Sequence, residues 1–302
     1  MTVPDFQSLM LLILKIAADG QEHNNSEAWD ALAIEFKLTD DDLKERLSNG
    51  QSTFKNRIAW ARSHLKMGGI MENTGRGTFR ITDRGQNVLK SNPQRIDVRF
   101  LMQFPDYDLN RGGPRRESLG ETKRESETEI QTPEEKLESI YKEMRHKLAD
   151  ELLDQIKNSS PDFFEELVVN LLVTMGYGGN LYDAGKAIGR SGDGGIDGII
   201  KEDKLGLDAI YIQAKRWEST VGRPVVQAFV GSLEGVRARK GVLITTSQFS
   251  PDAREYVNHI GMKIVLIDGH ELTDLMIDHG VGVSPHATYI VKKIDLDYFG
   301  GE

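Results

Sequence analysis

The sequence predicts a mixed α/β protein in two domains, the first mostly helical and the second built from strands alternating with helices. A length of 302 residues is a prior for two domains of ordinary size. Apolar residues recur at helical spacing near the N-terminus, whereas short β-branched runs separate helical patterns in the second half. A polar, charged stretch divides the two. Hydrophobic content of 38 % and charged content of 28 % describe a globular chain able to bury a real core.

The elements follow in order. Phe6, Leu9, Met10, Ile13, Ile16 and Ala17 mark a first helix, with Gly20 as its stop. Ser26 is a candidate cap for a second helix carrying Trp29, Leu32, Ala33 and Phe36. Thr39 to Asp42 opens a third, with acidic residues at the positive end of the helix dipole. Phe54, Ile58, Ala61 and Leu65 mark a fourth, closed by Gly68 and Gly69, and its other face is read as Lys55, Arg57, Arg62 and Lys66. Ile70-Met71 and Phe79-Arg80-Ile81 flank Asn73 to Gly77, a hairpin with Arg76 at its tip. Helices, a basic helix and then a hairpin is the order of a winged helix, whose basic helix lies in the DNA major groove. A small helical domain that binds protein fits the same pattern.

Charge sharpens that reading. The formal net charge is −9, which at first argues against nucleic acid. Yet residues 44–95 hold eleven basic side chains against Glu45, Glu72 and Asp83 alone. Such a local patch attracts phosphate while the global sign favours solubility, although a solvated mixed-charge surface also accounts for it.

Residues 106–136 are expected to be a flexible charged linker, because from 110 to 135 only Leu119 and Ile130 are large and apolar. This sets domain boundaries at 1–105 and 137–302. Leu137, Ile140, Tyr141, Met144, Leu148, Leu152 and Ile156 then predict a long amphipathic helix. Ser160-Pro161 opens a further helix with Phe164, Leu167, Val168, Leu171 and Leu172 inward, ending at Gly176. Strands are expected around Ile196–Ile200, Ala209–Ala214, Gly241–Thr245 and Ile264–Ile267. Helices are expected after Pro224, after Ser250-Pro251 and over Leu272–Ile277, which makes an α/β sandwich.

The chemistry sits in Gly192-Asp193-Gly194-Gly195-Ile196-Asp197-Gly198 and the later Gln213-Ala214-Lys215. Gln213 and Lys215 are two apart on a strand, so they share a face, and a hairpin can bring Asp197 beside them. A carboxylate, a second oxygen ligand and an ammonium on one face suit metal-assisted phosphodiester hydrolysis. The oxygens hold a hard cation such as Mg²⁺, and the lysine stabilises charge as it develops. Thr245, Thr246 and Ser247 are candidates either for phosphate contact or for a strand-end role.

GDGGIDG followed by QAK, with FEELVVNLLVTMGYGG, YIQAKRW, VGRP and GVLITTSQFS in the same order, resembles the Mrr family of restriction endonucleases, a branch of the PD-(D/E)xK nucleases. The likeness extends to the N-terminal region. It implies a restriction-endonuclease-like αβββαβ core and Mg²⁺-dependent cleavage of foreign, methylated double-stranded DNA. Asp197 matches the family's metal-binding aspartate, Lys215 its motif lysine, and Glu165 its helix-borne glutamate, a further metal ligand. Gln213 stands where most PD-(D/E)xK enzymes carry an acidic ligand. That departure is usual in this branch and leaves metal binding more dependent on Glu165 and the Ala214 carbonyl.

Other classes fall away. The chain has no cysteine, so disulfides, thiol nucleophiles and Cys-based metal sites are excluded. The glycines form no GxxxxGK[ST] and precede a strand, against P-loop and Rossmann readings. The seven histidines show no HExxH. The apolar run Leu9–Leu14 is far short of the ~20 residues of a membrane span, and no basic segment makes it a signal peptide. A cytoplasmic, nucleoid-associated protein is expected. Cutting two strands favours a homo-oligomer, for which residues 137–156 offer a surface. A DNA-binding regulator with an inactive nuclease-like domain is the alternative.

Overall fold

The computed structural model describes residues 3–110, 130–178, 195–202, 208–295 and 298. The chain forms two compact units, 1–143 and 144–302. Among the described residues, no helix is long and apolar enough to cross a membrane.

The first unit contains α1 (Phe6–Ile16), β1 (His23–Asn24), α2 (Asn25–Glu35), α3 (Asp40–Lys44) and α4 (Thr53–Met67). It continues with β2 (Met71–Gly75), β3 (Thr78–Ile81), α5 (Asp83–Lys90), α6 (Val98–Leu101) and α7 (Pro105–Asn110). The hairpin pairs Met71 with Ile81, and β1 pairs His23 with Phe79, giving an antiparallel sheet in the order β1-β3-β2. This is a winged helix, with α4 as its third long helix. Asn24, not Ser26, caps α2, because the Asn24 carboxamide accepts from Ser26 and Glu27 N–H while the Glu27 carboxylate reaches back to it. Leu9, Met10, Ile13, Leu14, Phe54 and Leu65 pack α1 against α4.

Both ends of the expected linker belong to structured elements. Pro105–Asn110 is helical, and Tyr107 is fully buried with its hydroxyl 2.5 Å from His64 Nδ1. At the other end Thr132 is buried and caps a long helix, α8 (Pro133–Asn158). The Thr132 N–H donates to the Glu135 carboxylate at 2.7 Å, and the Glu135 N–H donates to Thr132 Oγ1 at 3.3 Å. Polar residues here cap a helix, a role that a count of apolar side chains does not reveal.

The second unit holds α9 (Pro161–Thr174), β4 (Gly198–Lys201), β5 (Ala209–Lys215), α10 (Arg223–Gly235), β6 (Lys240–Thr245), α11 (Pro251–Asn258), β7 (Lys263–Ile267) and α12 (Gly269–His279). Ser160 and Ser250 cap α9 and α11, each followed by proline. The sheet order is β4-β5-β6-β7, with β4 antiparallel to β5 and the other pairs parallel. Phe164, Val168 and Leu171 of α9 and Leu272 and Met276 of α12 cover one face through Ile210, Ile212 and Ala214. Phe229 and Leu233 of α10 and Ala253 of α11 cover the other through Leu243 and Leu266. The sandwich is therefore as the sequence suggests. Two of the three strands expected before the crossover helix, β4 and β5, are described; residues 179–194, including Gly192, Asp193 and Gly194, lie outside the described residues.

Candidate active site

The antiparallel register of β4 and β5 places Asp197, one residue before Gly198, at the level of Gln213. Gly198 pairs with Ile212, and the Asp197 N–H donates to the Ile212 carbonyl at 2.8 Å. The Ala214 N–H donates to Asp197 Oδ2 at 2.8 Å, which fixes the carboxylate against the end of β5. Among the described residues Oδ1 accepts no hydrogen bond.

Gln213 is buried, and its Nε2 donates to the Gly195 carbonyl. A Cβ on Gly195 would stand 2.6 Å from that Nε2, and its φ of +92° is unfavourable to other residues. The glycine thus admits the amide that anchors the loop. With the amide nitrogen so engaged, the carboxamide oxygen is the atom left to act as a ligand.

Lys215 ends β5 on the face shared by Gln213, opposite Ala214. Thr245 Oγ1 donates to the Lys215 carbonyl and Thr246 Oγ1 to the Trp217 carbonyl, both at 2.8 Å, and Ser247 Oγ donates to the Glu218 carbonyl. These hydroxyls clamp the backbone that follows the lysine, a strand-end role.

Glu165 on α9 is partly buried, with its pKa raised above the ordinary glutamate value. Burial is the largest cause, followed by the negative charges of Asp197 and Asp162, with Lys215 opposing them. Asp197 and Lys215 are therefore near enough for their charges to act on Glu165. Among the described residues no three acidic or histidine side chains gather into a metal cluster. The available set is two carboxylates, an amide oxygen and a neighbouring ammonium. Its unneutralised carboxylate charge fits a hard, oxygen-seeking cation.

The basic residues of the first unit do not all face one way. At 100° per residue, Lys55, Arg62 and Lys66 lie within one narrow sector, whereas Arg57 lies 200° from Lys55. Lys55 and Lys66 are exposed and Arg62 is half-buried. The Arg62 guanidinium lies 4.4 Å from the Phe79 ring, donates to Asn73 Oδ1, and has its pKa lowered by burial. Arg57 instead turns inward. Its Nε donates to Glu135 at 2.7 Å, and its Nη1 donates to the Val3 and Pro4 carbonyls. Beside it Trp60 Nε1 donates to Glu134 at 2.6 Å. Reading Arg57 onto the outward basic face is corrected by the helical period itself. Arg76 is exposed at the tip of the β2–β3 hairpin.

Comparisons with known proteins match segments in both units. Residues 156–276 match a family model described as a restriction endonuclease, and residues 6–91 match the Mrr N-terminal domain. The fold and these matches define a nuclease of the restriction-endonuclease class, acting on DNA. Over 316 aligned residues the chain is 36 % identical to the type IV methyl-directed restriction enzyme EcoKMrr of Escherichia coli (strain K12), covering 99 % of this chain and 100 % of that one. The chain belongs to the Mrr family of restriction endonucleases.

More distant likenesses are to two solved structures. One is the DNA modification-dependent restriction endonuclease AspBHI, with a TM-score of 0.36, 18 % identity, and coverage of 68 % of this chain and 52 % of that chain. The other is the MspJI restriction endonuclease in complex with a 27-mer oligonucleotide, with a TM-score of 0.28, 20 % identity, and coverage of 68 % and 51 %. The chain spans about half the length of each.

Sequence reasoning missed the Ala214 N–H that orients Asp197, since a backbone donor leaves no compositional trace. It also missed the Glu135 partner of Arg57, for which the helical wheel was an available signal.

Proposed function

We propose that the protein is a Mg²⁺-dependent endonuclease that hydrolyses methylated double-stranded DNA, acting as a homo-oligomer with one active site per strand cut. The observation that carries this reading is Asp197 held by the Ala214 N–H at the level of Gln213, on the strand whose end presents Lys215. Asp197, Glu165 and the Gln213 carboxamide oxygen are the groups that would hold the cation. When bound, such an ion supplies Lewis-acid polarisation of a phosphate and a lowered pKa for water.

The chain's own residues do the rest. Asp197 arrives oriented, because its Oδ2 is already committed to backbone. Lys215 brings a positive charge to where the phosphate becomes more negative in the transition state, an interaction worth ~10²-fold or more in rate. Glu165 must be deprotonated to act as a ligand, and its raised pKa brings the loss of that role to a higher pH than for an ordinary glutamate. In the first unit Lys55, Arg62 and Lys66 of α4, with Arg76 of the hairpin, form the surface that meets the duplex.

The EcoKMrr name, methyl-directed, supports methylated DNA as the substrate class. The test is conversion of supercoiled, methylated plasmid to nicked and linear forms. Cleavage with Mg²⁺ and none in EDTA is expected, and DNA binding without cleavage under every divalent ion would favour the inactive-regulator reading.

A further inference from the structure

The outward face of α4 carries Lys55, Ala59, Arg62 and Lys66 at spacings of four, three and four, so the four side chains stand in a single row. Three are cationic. Ala59 is exposed and interrupts them. The interruption opens into a cavity of about 290 Å³ lined by Asn25, Ser26 and Trp29 of α2 together with Ile58 and Ala59, and by Lys55 and Arg62.

Both of these cations are held on aromatic rings. Lys55 Nζ lies 4.9 Å from the Trp29 ring, and the Arg62 guanidinium 4.4 Å from Phe79. The gap between them is therefore kept open by packing, flanked by charges that suit phosphate or guanine edges. Trp29 Nε1 and Arg62 Nε are buried and find no hydrogen-bond partner among the described residues. Because Lys55 already lies over the indole, an extruded base would have to displace it in order to stack there. A methyl group needs only the apolar side of the cavity, made by Trp29, Ile58 and Ala59.

We infer that this gap receives the methyl group of a modified base in the major groove, carried on cytosine C5 or adenine N6, and that modified DNA is distinguished from unmodified DNA there. Both positions lie on the major-groove edge of their bases, and alanine is a residue that meets a base methyl well. The inference rests on the reading that this protein binds and cuts methylated duplexes, and it places the discrimination in the first unit.

The test uses the full chain in EDTA, at one salt concentration, with three duplexes of identical sequence: unmodified, 5-methylcytosine and N6-methyladenine. Wild type is expected to bind one methylated duplex on the order of four-fold more tightly per methyl group buried. Ala59→Ser, nearly the same size but polar, should bring that ratio towards one. Ala59→Gln, which puts a polar amide at the mouth of the gap, should bring it to one or below. Ala59 is exposed, so both variants are expected to keep the fold, and a melting curve checks this. A ratio that holds at the wild-type value in both variants overturns the inference, and so does an equal loss of affinity for all three duplexes. If those results accompany selective cleavage of methylated plasmid by wild type, the functional reading stands and the gap alone is wrong. If wild type neither binds nor cuts methylated DNA preferentially, both fall together.

Discussion

Two pairs of residues, each two positions apart, have the same spacing in sequence and opposite arrangements in space. On β5, Gln213 and Lys215 share a face, and Asp197 lies level with Gln213 beside the neighbouring strand. On α4, Lys55 points outward while Arg57 points inward to Glu135. A strand repeats every two residues, so spacing by two gathers chemistry; a helix repeats every 3.6, so the same spacing scatters it. The Gln213–Lys215 pair can thus be read from local spacing, whereas the outward row of α4, Lys55, Ala59, Arg62 and Lys66, depends on residues three and four apart.

The largest effect belongs to the strand pair. Asp197→Ala and Lys215→Ala should each lower the cleavage rate by ~10²-fold or more, while leaving duplex binding in EDTA near wild type. Gel-shift and cleavage assays run in parallel separate the two readouts. A wild-type rate in Lys215→Ala would mean that β5 does not carry the site.

The helix pair predicts a split of a different kind. Arg57→Ala leaves the Glu135 carboxylate, 8 % exposed, without its cation. Stability should fall by about 2–3 kcal/mol, somewhat below the value for a fully buried pair. Lys55→Ala should alter stability by no more than about 0.5 kcal/mol, yet weaken DNA binding and lower the salt slope by about one. Urea melts and binding at several salt concentrations check both. If Arg57→Ala melts like wild type and loses DNA affinity instead, Arg57 does face the duplex.

A smaller effect sharpens the nuclease side. The Glu165 pKa is raised by burial and by Asp197 and Asp162. Its carboxyl thus favours the fold below the glutamate range, and that contribution is lost as pH rises through the folded-state pKa. Glu165→Gln should accordingly melt slightly higher than wild type at neutral pH, with the gain vanishing in acid, while binding of the divalent ion weakens. A lower melting temperature at neutral pH would show that Glu165 has a stabilising partner.

Much of this fold was legible in the sequence. Ser160-Pro161 and Ser250-Pro251 announced their helices because proline at the first turn and serine before it satisfy orphan backbone groups. The buried strand Lys240–Thr245 stood out as a continuous apolar run between two helices. Three features were not legible. The helix Pro105–Asn110 is held by tertiary contact of Tyr107 with His64, not by local propensity. The start of α8 is fixed by Thr132 and Glu135, polar residues that count as linker when only apolar content is weighed. The row broken by Ala59 becomes a cavity only when Trp29 is brought in from α2.

The most direct test of the central claim is cleavage of two plasmids of identical sequence, one methylated and one not, by wild type and by Asp197→Ala, with Mg²⁺ or with EDTA. The account predicts cutting in one of these combinations: wild type, methylated plasmid, Mg²⁺. Cutting by Asp197→Ala, cutting in EDTA, or equal cutting of both plasmids by wild type would contradict it.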